Sequence, residues 1–136
     1  MHLTHRLILD NFYLIYFCDK AKFRLFLNHS NAELSKKFME INRNKVLTNK
    51  FTLAVESIKN NQANRSQWNW EDSCSLGEIH AIKVDNYRFY TLVQKNGGYR
   101  ELFMCRYGRK QSQSNDKALK DTISSISNII IQKQLS

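Results

Sequence analysis

The chain has 136 residues, 42 % of them hydrophobic, which suits one globular domain with a single core. Absence of proline, only four glycines, and eight Phe, six Tyr and two Trp exclude collagen-like, linker-rich and disordered architectures. Twenty-one Lys and Arg against twelve Asp and Glu leave a net charge of +9, which calls for an anionic partner: nucleic acid, a membrane surface or an acidic protein.

Residues 1–11 read as an N-terminal extension of a single domain over 1–136. The apolar run Leu7-Ile8-Leu9 stops at Asp10 and Asn11, too short for an export signal or a bilayer span, so no membrane association is expected. Phe12 to Cys18 is aromatic and branched, and is expected to be a buried strand. Residues 20–28 carry Phe23, Phe26 and Leu27 at helical spacing. Ser30 precedes Glu33 in a capping-box arrangement. Beyond it Leu34, Phe38, Ile41, Phe51, Val55 and Ile58 recur at three- and four-residue steps. They mark a long amphipathic helix with an interruption near Asn42–Asn44. Two such helices make a helical hairpin.

Residues 60–76 are rich in Asn, Gln and Ser and read as a long loop. Trp68 and Trp70 within it either stack on a base or pin the loop to the core. Residues 78–84 alternate as a strand, Asp85-Asn86 marks a turn, and Tyr87 to Gln94 is a second strand. Lys95-Asn96-Gly97-Gly98 is a hairpin turn, and Tyr99 to Tyr107 returns as its partner. Ser114 or Asn115 caps a last helix striped by Leu119, Ile123, Ile126 and Ile130. The expected fold is α+β, a helical hairpin packed on an antiparallel sheet in the order β-α-α-β-β-β-α.

Cys18, Cys74 and Cys105 are far apart and odd in number, which argues for a reducing cytoplasm over a disulfide framework. Cys105, in an apolar run, reads as a small core residue. His2 and His5 lie near the terminus, and no carboxylate–histidine cluster accompanies them, so neither metal nor cofactor is expected.

The charge is uneven. Residues 79–115 hold Lys83, Arg88, Lys95, Arg100, Arg106, Arg109 and Lys110 against Asp85 and Glu101, a local excess of +5. Tyr87, Tyr90, Tyr99 and Tyr107 interleave with them. Cations alternating with aromatics on a sheet suit phosphate contact and base stacking; Lys83, Tyr90, Arg106 and Tyr107 are the candidate RNA-binding residues. Arg88 sits in a hydrophobic strand, where a buried charge needs a partner.

The segments Gly77-Glu78-Ile79-His80, Asp85-Asn86-Tyr87-Arg88-Phe89-Tyr90 and Glu101 to Lys110 resemble the RelE/ParE toxin superfamily over roughly residues 12–130. The resemblance implies a toxin of a type II toxin–antitoxin pair that arrests growth, with an acidic antitoxin as partner. In the RelE and HigB branches the activity is metal-independent cleavage of mRNA on the ribosome; in the ParE branch it is poisoning of DNA gyrase. Arg88 matches the strand arginine that holds the scissile phosphate, and Arg109 and Lys110 match the basic pair that stabilises charge there. His80 falls where the family often has Arg or Lys. The chain departs from the family in having no Tyr after Tyr107, so a proton carrier does not carry over.

Such a ribonuclease drives the 2′-hydroxyl onto its own phosphate and needs cations, a base and an acid. Arg88, Arg109 and Lys110 supply the cations. His80 is either the titratable group or a polar residue at the sheet surface. A nucleic-acid-binding module without catalysis remains the other class.

Overall fold

Residues 11–74, 76–109, 120–121 and 124–126 are described by a computed structural model of the chain. Strand β1 covers Phe12–Cys18 and β2 Phe23–Asn28. Helices α1, Ala32–Asn42, and α2, Lys45–Lys59, follow. Then come β3, Trp68–Cys74, β4, Gly77–Val84, β5, Tyr87–Asn96, and β6, Tyr99–Arg109. The fold is mixed α+β. Six strands form one sheet in the order β1-β2-β6-β5-β4-β3, antiparallel except for the β2–β6 pair, which is parallel.

This order differs from the expected one at two places. Residues 23–28 are a strand, where a helix was expected. Phe23, Phe26 and Leu27 fit a helical stripe, but Phe23, Leu25 and Leu27 also fit period two, and all three join the core under the helices. Phe26 points the other way into a second apolar cluster. A strand buried on both faces has no polar side to betray its period. The second difference is β3, which lies inside the expected loop 60–76. The sheet also contains one parallel pair where an antiparallel sheet was expected.

The helical hairpin is formed by α1 and α2, which meet at the expected interruption. Asn31, not Ser30, caps α1: its side chain accepts a hydrogen bond from the Leu34 amide at 2.9 Å. The Asn44 side chain accepts from the amides of Val46 and Leu47 and starts α2. Leu34 and Ile41 of α1 pack with Ala54, Val55 and Ile58 of α2 against one face of the sheet, here the helix face. The outer face carries its own cluster, Phe12, Phe26, Ile79, Leu92, Phe103 and Cys105 among it. Ile126, in the short helical stretch 124–126, is buried in that cluster. The rest of the expected last helix, with Leu119, Ile123, Ile130 and the caps Ser114 and Asn115, lies outside the described residues. Among the described residues no helix is long and apolar enough to cross a membrane.

One of the clustered cations is consumed by the fold. The Arg100 guanidinium donates to the Asn61 Oδ1 at 2.7 Å and to the carbonyls of Ile58 and Lys59. The two carbonyls lie in the last turn of α2, where the helix dipole favours a cation, and the Ile58 carbonyl also accepts from the Asn61 amide at 3.1 Å. Burial pushes the Arg100 pKa down from its ordinary value, so desolvation is the cost of this cap. Arg100→Met is expected to destabilise the protein by about 1–3 kcal/mol, since it removes a charged donor from two part-buried carbonyls. Urea denaturation of the purified variant measures it.

Candidate functional site

Alternation along the strands decides which side chains can meet. Phe89 joins the helix-side core and Tyr90 the outer cluster, so Arg88 belongs to the outer face with Tyr90. There its guanidinium lies 3.7 Å from the Glu71 carboxylate, with side-chain exposures of 17 % and 10 %. Glu71 is the extra residue of a β-bulge in β3, between the Trp70–His80 and Asp72–Ile79 pairs. Asn69 Nδ2 donates to the same carboxylate at 3.2 Å.

A second bulge sets the face of Arg106. Thr91 pairs with Met104 and Tyr90 with Arg106, which leaves Cys105 as the extra residue of β6. Without the bulge, Arg106 would share the face of Met104. With it, Arg106 faces Tyr90, and Tyr107 turns to the helix-side core. Gly108 pairs with Arg88 and must be glycine: a Cβ there would come within 2.2 Å of the Tyr90 ring. The ring lies flat over this gap and is fully buried.

The polar atoms of this group are unevenly satisfied. Among the described residues, neither the Tyr90 hydroxyl nor Arg106 Nε has a hydrogen-bond partner, and both are shielded from water. Each such group costs about 1–3 kcal/mol. Burial, with the Glu71 charge adding and Arg88 opposing, pushes the Tyr90 pKa up to about 12, so its hydroxyl stays protonated and able to donate.

The expected site residues divide between the faces. Arg88, Tyr90, Arg106 and Lys83 lie on the outer face. Tyr90, offered as a base-stacking ring, is fully buried and has no free ring face. Lys83 donates to the Arg65 carbonyl at 3.0 Å. His80 alternates with Ile79 and Ala81 of the outer cluster, so it lies on the helix face, stacked on Trp68 at 4.4 Å between ring centroids. Tyr107 is also on the helix face, edge-on to Tyr87 and with the Lys37 ammonium 5.3 Å from its ring. The sheet thus separates both from Arg88. Arg109 pairs through its backbone with Tyr87. The Arg109 side chain and Lys110 lie outside the described residues. Of the two tryptophans, Trp68 packs against the core, and Trp70 on the edge strand is 54 % exposed.

Glu71 is the residue that sequence reasoning missed. Its signal was indirect: a buried arginine demands a carboxylate, and Trp68-Asn69-Trp70 alternates with period two. A cleft of 380 Å³ on the helix side, lined by Ile15, Tyr16, Phe38, Phe51 and Val55, is the rival location. Two of its polar groups are already engaged: Tyr16 donates to Glu56, and Thr48 to the Ile41 carbonyl at 2.8 Å. The outer face, with unspent donors beside a loosely held guanidinium, is the better candidate. No protein-family model, curated protein or solved structure matches the chain.

Two outcomes follow from this geometry. Gly108→Ala is expected to destabilise by about 1–3 kcal/mol, because the buried Tyr90 ring must move; Tm and urea midpoints measure it. Burial pushes the His80 pKa below its ordinary value, with Arg100 adding and the Glu78 and Glu71 carboxylates opposing. The unfolded chain therefore binds this proton more readily than the folded one. The stability tied to His80 is complete above its unfolded pKa of about 6.5 and is lost as pH falls through the lower folded pKa. Wild-type Tm is expected to drop more steeply below pH 6.5 than that of His80→Gln.

Proposed function

We propose that the chain is a toxin of the RelE/HigB kind, a metal-independent endoribonuclease that cleaves mRNA on the ribosome, held inactive by an acidic antitoxin. The observation that carries this is the loose Arg88–Glu71 pair on the outer face, 3.7 Å apart and little exposed. A cation beside a carboxylate is what 2′-hydroxyl attack requires: Arg88 takes a phosphate oxygen, and Glu71 takes the proton from the attacking hydroxyl. The phosphorus–O5′ bond then breaks, leaving a 2′,3′-cyclic phosphate on one fragment and, on the other, a 5′-hydroxyl whose proton comes from solvent water. Glu71 fills the base role in place of His80, which faces the helices. The element order carries no weight here, since Phe23–Asn28 and Trp68–Cys74 are strands that the β-α-α-β-β-β-α run of the resemblance does not contain. The net charge of +9 suits both ribosomal RNA and an acidic, partly disordered partner.

A second reading, a nucleic-acid-binding domain without catalysis, is favoured by one fact. His80, the titratable residue the sequence offered, lies across the sheet from Arg88.

Induction of the chain in cells, with pulse labelling and mapping of mRNA 5′ ends, tests the proposal. Protein synthesis is expected to fall before DNA synthesis, with new 5′ ends inside messages. DNA synthesis falling first would point to a gyrase poison, and arrest without new ends to the binding domain. Arg88→Ala is expected to lower cleavage by ~10²–10³, the usual effect of losing one preorganised donor. Glu71→Gln is expected to lower it as well. His80→Ala is expected to leave the rate near wild type.

A further inference from the structure

The two edges of the sheet differ in how they are closed to other strands. β3 carries Glu71 and Asp72 and breaks its ladder with a bulge. β1, at the opposite edge, pairs on one side only, with β2. Residues 11–18 contain no charged side chain and no proline. Tyr13, Leu14 and Phe17 are 60 %, 48 % and 58 % exposed. Leu14 pairs with Phe26 of the outer cluster, and Phe17 with Arg24 two residues earlier, so both lie on the outer face. Tyr13 pairs with Leu27 and lies on the helix face. Such an edge offers unpaired amides and carbonyls to a further strand.

The charges around this edge select its occupant. Most of a +9 surface repels a second copy of the chain, and an uncharged strip is where one can come close. An acidic peptide would find no cation within β1 to pair with. Antiparallel pairing about a two-fold axis brings the 19–22 turn of one copy to the start of β1 in the other. That start is tied to the approach to α1: the His29 amide donates to the Asn11 carbonyl at 3.2 Å, and α1 begins at Ala32. Exposed Lys20 of each copy thus comes to the end where exposed Glu33 of the other stands. Neither forms an ion pair with any described residue. We infer that β1 is a self-pairing edge: two copies join β1 to β1 antiparallel, with Lys20 of each beside Glu33 of the other. A two-fold axis normal to the sheet keeps outer face with outer face, so Leu14 and Phe17 of both copies meet. The contact uses up β1 on both sides, and the acidic β3 edge opposes further growth, so a dimer forms and not a fibre. Seven residues at about 3.4 Å each make an edge about 24 Å long, interrupted by the bulge at Ile15. So small a contact belongs to the weak class, dissociating in the micromolar range.

Sedimentation equilibrium of the full chain, from about 1 to 300 µM, tests this. The wild type is expected to pass reversibly from monomer to dimer. Phe17→Lys, at an exposed position, is expected to stay monomeric and to keep the wild-type Tm at low concentration. Lys20→Glu and Glu33→Lys are each expected to weaken the dimer about three- to thirty-fold. The double variant, with the two charges exchanged, is expected to restore it. Net-charge repulsion alone gives a different result, since Lys20→Glu lowers the total charge and would tighten the dimer. Hydrogen exchange supplies a second readout: the β1 amides that point away from β2 are expected to gain protection as concentration rises. A monomer throughout the range would overturn the inference, and β1 amides protected in that monomer would identify a segment of the same chain as the occupant. A dimer that survives Phe17→Lys, or a double variant no tighter than the single ones, would overturn it too.

Discussion

A guanidinium withdrawn from water on a sheet face is tolerable only beside a negative charge, and much of the outer face follows from meeting that demand for Arg88. Its carboxylate comes from two strands away, so β3 has to join the sheet beside β4. The residue on the rung between is Ala81, fully buried and registered with both Asn69 and Tyr90. A larger side chain there would stand between Glu71 and Arg88. Glu71 shares the outer face with Asn69 by simple alternation, and the bulge leaves it unpaired in the ladder while shifting Asp72 onward by one residue. The pair is far from ideal: 3.7 Å with one contact, not a bidentate fork. A tight pair would neutralise Arg88 permanently, whereas a loose one leaves its guanidinium ready for exchange.

The parts of the fold with a clear one-sided pattern were legible in the residues. The strands either side of the Gly97-Gly98 turn and the break at Asn42–Asn44 stand where local chemistry puts them. Phe12–Cys18 is a strand but not the buried one expected: it lies at the sheet edge, with Tyr13, Leu14 and Phe17 exposed. Gly97 and Gly98 adopt positive φ, which the hairpin requires. Phe23–Asn28 was not legible, because burial on both faces erases the difference between period two and period 3.6. Nor was β3, whose Asn, Glu, Asp and Ser suit a loop and whose place at the sheet edge leaves it half solvated. Its bulge and acidic side chains also blunt that edge against pairing with another chain.

The candidate site was legible in composition and illegible in parity. A strand puts successive side chains on opposite faces, so one extra residue exchanges the members of a site. Arg106 and Tyr107 show this: a bulge at Cys105 sends the arginine to the outer face and the tyrosine to the helices. Counting from Phe103 and Met104 without the bulge gives the opposite result. His80 involves no such shift, since β4 alternates regularly; its error was one of assumption, that residues close in motif share a face. Trp68, stacked on its ring, occupies the space a substrate would need there.

The net charge of +9 likewise says less about a binding face than the destination of each cation. Arg100 closes a helix, Lys83 holds a loop carbonyl, and Arg24 is 3.0 Å from the buried Glu101. These cations do structural work on or beside the sheet, and a salt titration would not displace them, because their acceptors belong to the fold. Arg88 and Arg106 differ in having, respectively, a loose partner and an unspent donor. The Tyr90 hydroxyl shares the Arg106 rung, beside a glycine that admits the Tyr90 ring, whereas another unpartnered atom, His80 Nδ1, lies on the helix face. The destination of each cation, not the charge total, is what distinguishes this face from the rest of a basic surface.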